Sequence, residues 1–156
     1  MAGPSPVHRA SEKEIDTRGG RGSSFAIRAG HALSTLPVNR WLQDVERLRV
    51  ATLARPDKAN YRRALVDALV LAGRPGEALP ELDVLLEREP RSAPLHACRG
   101  IVLAGIGRPA EARAALETAR TLDAAAPRYV RLLENLGAPR FYPQALREDW
   151  DALILE

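Results

Sequence analysis

Gly73-Arg74-Pro75-Gly76-Glu77-Ala78 recurs as Gly107-Arg108-Pro109-Ala110-Glu111-Ala112, an offset of 34 residues. In each copy a glycine stands where a helix needs a left-handed residue to stop. Two residues later a proline opens the next helix at its first position, where no backbone N–H is required. The pattern therefore reads helix, tight turn, helix, and it does so twice. A fixed period in this range signals stacked supersecondary units. The same offset pairs Ala59 with Ala93, Leu69 with Leu103, and Leu82 with Leu116.

Outward from these turns, apolar spacing predicts helices over 57–72, 75–88, 92–106, 109–122 and 126–136. Asp57 and Ser92 are suited to cap two of them, because their side-chain oxygens can accept from exposed helical N–H groups. Upstream, a short helix is predicted at 25–36, closed by Pro37. Asn39 is placed to cap a further helix that puts Trp41, Val45, Leu48 and Thr52 on one face, and Pro56 ends it. Residues 143–156 carry Leu146, Trp150, Leu153 and Ile154 at helical spacing. A terminal repeat needs a cover with one polar face, so this stretch is expected to be a capping helix. A linear motif that docks elsewhere is the alternative.

The totals agree with helix. Apolar residues make up 46% of the 156 residues and aromatic ones only 4%, with Ala, Leu and Arg recurring throughout. Those three lose little on entering a helix, whereas strands favour aromatic and β-branched side chains. The net charge is +3, from 23 basic and 20 acidic residues that alternate in sign along the helical stretches. That mixture describes a solvated surface better than a nucleic-acid or membrane patch. Cys98 is the one cysteine, so no internal disulfide forms. No signal-peptide core and no apolar run of about twenty residues is present, which points to a soluble, cytoplasmic protein without membrane insertion.

Residues 1–24 hold Gly, Pro, Ser, Arg and Glu with almost no large apolar side chain, so they are expected to form a flexible arm. Its Arg18-Gly19-Gly20-Arg21-Gly22 stretch is a single RGG-like copy. The rest, 25–156, reads as one helical repeat domain. It divides into a degenerate unit at 25–58, units at 59–92 and 93–126, and a partial unit with its cap at 127–156.

At this point the chain resembles the tetratricopeptide repeat family, in particular the small bacterial-type members, whose unit is a 34-residue antiparallel helix pair. The family prefers a small residue at position 8, Gly at 15, Ala at 20, a large apolar residue at 24, Ala at 27 and Pro at 32. One unit offers Val66, Gly73, Ala78, Leu82, Leu85 and Pro90; the next offers Gly100, Gly107, Ala112, Leu116, Ala119 and Ala124. The first departs from the pattern at Val66 and Leu85, and the second at Ala124. In the upstream unit Ala32, Leu48, Ala51 and Pro56 match, while Asn39 and Asp44 replace the turn glycine and the alanine. The resemblance implies an all-α, right-handed superhelix of antiparallel helix pairs with a C-terminal capping helix.

Nothing in the sequence assembles a catalytic or metal site. His8, His31 and His96 have no second strong ligand within helical reach. His96 and Cys98 stand two residues apart and point to different faces. The phosphate-loop pattern of strand, glycine loop and helix does not occur. Asp44, Glu46, Asp67, Glu77, Glu81, Glu111 and Glu117 lie on amphipathic helices and read as solvated groups or first-turn dipole partners. No enzyme activity and no cofactor is expected.

The resemblance implies instead a concave groove lined by the first helices of successive units. Its positions fall on Asn60, Arg63, Asp67, Val70 and Leu71, then on Pro94, Ala97, Ile101, Ala104 and Gly105, then on Arg128, Arg131 and Asn135. This gives an apolar middle with arginine at both ends. Some family members clamp a partner's terminal carboxylate here, but Asp67 and Leu132 stand where that clamp uses Asn and a basic residue, so it is incomplete. The function expected is a protein–protein interaction module, such as an adaptor, a chaperone-like protein or an assembly subunit, with another protein as partner. Two alternatives remain: a nucleic-acid-associated repeat protein using Arg18, Arg21 and Arg28, and a homo-oligomer that self-associates through Trp150 and its apolar neighbours.

Overall fold

Helices start and stop where glycine and proline put them. The computed structural model describes residues 38–156, so the arm at 1–24 and the helix expected at 25–36 lie outside the described residues. Among the described residues eight helices follow one another: α1 (Val38–Ala54), α2 (Ala59–Leu71), α3 (Pro75–Arg88), α4 (Ala93–Gly105), α5 (Pro109–Leu122), α6 (Pro127–Asn135), α7 (Phe141–Glu148) and α8 (Trp150–Leu155). Among the described residues there is no strand, and the fold is all-α.

The two copies of the quoted motif are built alike. Gly73 has φ of 74° and Gly107 has φ of 78°, the left-handed region that a side chain on Cα disfavours. After each, the chain closes with paired bonds: Gly73 N–H donates to Val70 O at 3.1 Å and Arg74 N–H to Leu69 O at 2.8 Å. In the second copy Gly107 N–H donates to Ala104 O at 3.2 Å and Arg108 N–H to Leu103 O at 2.9 Å. Both are Schellman closures, which satisfy carbonyls the helix end would orphan. Pro75 and Pro109 then begin α3 and α5. Each arginine also forks onto the glutamate three residues on: Arg74 Nε to Glu77 Oε1 at 2.6 Å, and Arg108 Nε to Glu111 Oε1 at 2.7 Å. Sequence reading placed those glutamates in the first turn, which is where they lie, but it did not find their arginines.

Some cap assignments hold and others do not. Ser92 Oγ accepts from Leu95 N–H at 3.4 Å at the start of α4. Asp57 does not cap α2; Lys58 occupies that place and makes no side-chain cap bond. Asn39 lies inside α1, which begins at Val38. The single helix expected at 143–156 is two helices. It starts at Phe141, because Pro143 is accommodated in the first turn, and it breaks at Asp149.

Packing follows from the apolar stripes. Val45, Leu48 and Thr52 bury one side of α1 against α2. Leu65, Leu69, Leu82, Leu85, Leu103 and Leu116 are almost wholly buried, each contributing about 1.5–3 kcal/mol relative to exposure. Where α4 meets α5 the backbones approach closely, since a Cβ on Gly100 would lie 2.8 Å from Leu116 Cγ and 3.1 Å from the Ala112 carbonyl oxygen. From α1 to α6 each helix packs on the next in sequence, joined by short connections that fold it back on its predecessor. The last two helices depart from that order. Both α7 and α8 return to pack on α4, and α8 reaches α2 as well.

Candidate functional site

The residues assigned to the groove divide by exposure. On α2, Asn60 is exposed, Arg63 half-buried, and Asp67, Val70 and Leu71 buried. On α4, Ala97 and Ile101 are 0% exposed. On α6, Arg128 is half-buried while Arg131 and Asn135 are exposed. These positions do not line an open groove, because α8 packs on α2 and α4.

The seat of α8 is made of four polar anchors around an apolar centre. Trp150, Leu153 and Ile154 are at most 1% exposed. The Trp150 indole N–H donates to Asp67 Oδ1 at 2.8 Å, joining residues 83 apart in sequence. Arg63 donates from Nη1 to the Ile154 carbonyl oxygen at 3.3 Å, while its Nη2 donates to both Glu89 carboxylate oxygens at 3.0 Å. Arg128 Nη2 donates to Glu156 Oε2 at 2.6 Å. Arg131 pairs with the buried Asp149 carboxylate at the junction of α7 and α8. The rim arginines therefore already hold partners within the chain. Trp150 likewise faces inward and offers no surface to a second copy while α8 is seated.

Asp67 is an electrostatically unusual group of this face. It is 3% exposed, and burial pushes its carboxyl up to about 7, against the lowering effect of the Trp150 hydrogen bond and with a small upward push from Asp151. Desolvation dominates because taking a carboxylate out of water costs more than one neutral donor returns. An indole N–H is the kind of partner such a group can keep, since it is satisfied without demanding full ionisation.

Next to this seat, α7 covers the end of α4. A Cβ on Gly105 would lie 2.5 Å from Tyr142 Cε2, so the absence of a side chain there lets the ring lie across the helix. Burial pushes the Tyr142 hydroxyl up to about 12. The cleft between α6 and α7, lined in part by Arg131, Asn135 and Gln144, encloses about 10 Å³, room for about one water molecule. Cys98 is completely buried, and burial pushes its thiol up, away from the reactive thiolate. His96 Nε2–H donates to the Pro90 carbonyl oxygen at 2.9 Å. Among the described residues no three acidic, histidine or cysteine side chains gather as metal ligands, and no helix is long and apolar enough to cross a membrane.

A second apolar surface lies on the outer side of α1, where Leu42, Val50 and Leu53 are exposed along one stripe. No protein-family model matches the chain, and no curated protein matches it in sequence.

The Asp67–Trp150 pair escaped the sequence reading. One signal was available. At the 34-residue offset Asp67 corresponds to Ile101, so a carboxylate interrupts a stripe that is apolar in the next unit. A buried acid needs a donor, and a distant tryptophan is a source of one.

Proposed function

We propose that this chain is a non-enzymatic protein-interaction module of tetratricopeptide type, an adaptor that takes a segment of a partner protein on the shared face of α2 and α4. One observation carries this reading: the face already holds a peptide segment, α8, through buried apolar side chains and four polar anchors. A surface that orders six residues of its own chain has the depth, the floor and the rim that a partner segment requires. A helix that short does not stand alone in water, so α8 owes its order to the face it lies on. Groove recognition of helical segments works by the same combination of apolar anchors and a polar edge.

In-cell crosslinking tests the reading. A photoreactive amino acid at Asn60 or Asn135, both exposed beside the face, is expected to capture a partner polypeptide. The same group at exposed Arg120 on α5 is expected to capture none. Adducts at position 120 with none at 60 or 135 contradict it.

A further inference from the structure

The occupant of the face specifies what the face accepts. We infer that the partner segment has the chemistry of α8 itself, an aromatic N–H donor, aliphatic side chains three and four positions later and a carboxylate six positions later, and that it binds by exchange with α8. The inference rests on reading this face as a segment-binding surface.

Three features of the floor and rim select that chemistry. Asp67 lies at the bottom of the face with 3% exposure and takes its hydrogen bond from the Trp150 indole at 2.8 Å. An occupant without a donor there leaves a buried acceptor unsatisfied, which is strongly disfavoured. Val70, Ala97 and Ile101 are buried apolar side chains of the two helices on which α8 packs, surroundings that suit the aliphatic pair and repel polar side chains. Arg63, Arg128 and Arg131 stand around the edge, bound respectively to a backbone carbonyl, to Glu156 and to Asp149. A basic segment would set like charges against all three, a juxtaposition that discriminates against the wrong partner.

Exchange is favoured by how α8 is attached. It spans six residues, from Trp150 to Leu155, and a single residue, Asp149, separates it from α7. Three of its four polar anchors are arginine contacts at the edge, to the Ile154 carbonyl oxygen, to Glu156 and to Asp149. Because the resident segment competes, a free segment binds the wild-type face with an apparent affinity reduced by the fraction of time the face is open.

The test uses the full chain and a fluorescein-labelled synthetic peptide of residues 149–156, read by fluorescence polarisation. The chain carrying Trp150→Ala, which weakens its own occupant, is expected to bind this peptide at least about tenfold more tightly than the wild type does. The peptide with Trp150→Ala, or with Glu156→Lys, is expected to lose about tenfold or more against the same chain. Circular dichroism first establishes that the variant chain keeps its helicity; where it does not, Leu153→Ala replaces it, leaving the indole and its bond to Asp67 intact. A peptide carrying Asp149→Lys, Asp151→Lys and Glu156→Lys that binds as well as the parent overturns the inferred chemistry and leaves segment binding standing. Folded variants that bind none of the peptides overturn both. A variant that sediments as a dimer, dispersed by the peptide, assigns the face to a second copy and overturns the inference alone.

Discussion

The helices α2 and α4 hold equivalent places 34 residues apart, yet they offer α8 different chemistry. Arg63 and Asp67 on α2 correspond to Ala97 and Ile101 on α4, and Val70 and Leu71 correspond to Ala104 and Gly105. So α2 adds hydrogen bonds and charge, from Asp67 and Arg63, to its own buried Val70, whereas at the corresponding positions α4 offers apolar side chains and, at Gly105, room for the Tyr142 ring of α7. Repetition of a helix pair fixes where the two helices lie but not what they present. Apolar burial at this face stabilises in proportion to the area it covers. The polar atoms of α2 decide which segment fits, because a buried donor or acceptor must find its match.

That division makes graded predictions. The largest effect is expected where both contributions meet. Trp150→Ala removes the biggest buried ring and strips Asp67 of its donor, so it is expected to cost about 3–5 kcal/mol in denaturant unfolding. On the α4 side alone, Ile101→Ala is expected to cost about 2–5 kcal/mol, as cavity formation does in well-packed cores. A loss as small for Ile101→Ala as for an exposed site would show that α8 does not rest on α4. Gly105→Ala forces the Tyr142 ring aside; the ring is a half-buried side chain that can shift, so the expected loss is about 1 kcal/mol in the same assay.

The smallest effect at neutral pH, and the most diagnostic one, is on the α2 side. Asp67→Asn keeps an oxygen acceptor for the indole and is expected to change stability by less than about 1 kcal/mol at pH 7. Its signature is in the pH dependence. The folded-state value of Asp67 is raised from 3.8 to about 7, so between those values the folded chain holds a proton that the unfolded chain has lost. Stability from this group is thus fully present below the lower value and is lost as pH rises through the higher one. The wild type is expected to gain up to about 2 kcal/mol relative to Asp67→Asn on going from pH 7 to pH 5, measured by urea unfolding at each pH. Parallel pH profiles for the two chains would show that Asp67 is hydrated rather than sealed beneath α8.

The legible and illegible parts of the chain separate along the same line. Gly73, Gly107, Pro75 and Pro109 act through local backbone geometry, which a sequence states directly, so the helix boundaries around them fell where expected. Caps were less reliable. Asp57 and Lys58 are neighbours, and a one-residue shift in the start of α2 removes the capping role. The break at Asp149 and the return of α8 were not visible, because the amphipathic spacing of Leu146, Trp150, Leu153 and Ile154 suits a continuous capping helix equally well. The returned helix is joined to α2 by the Trp150–Asp67 bond across 83 residues, and periodicity carries no information about such a pair. Of the positions assigned to the groove, Arg63, Asp67, Arg128 and Arg131 hold partners at 149–156 within the chain.

Hydrogen exchange of the Trp150 indole N–H, followed by NMR on tryptophan-labelled full-length chain and assigned with Trp150→Phe, tests most directly that α8 fills the face between α2 and α4. The seated arrangement predicts exchange slowed to the range of the core amides of α4, and slowed less in Trp150's surroundings when excess unlabelled 149–156 peptide competes for the face. Exchange at the rate of a free indole, with the α4 amides still protected, would contradict it.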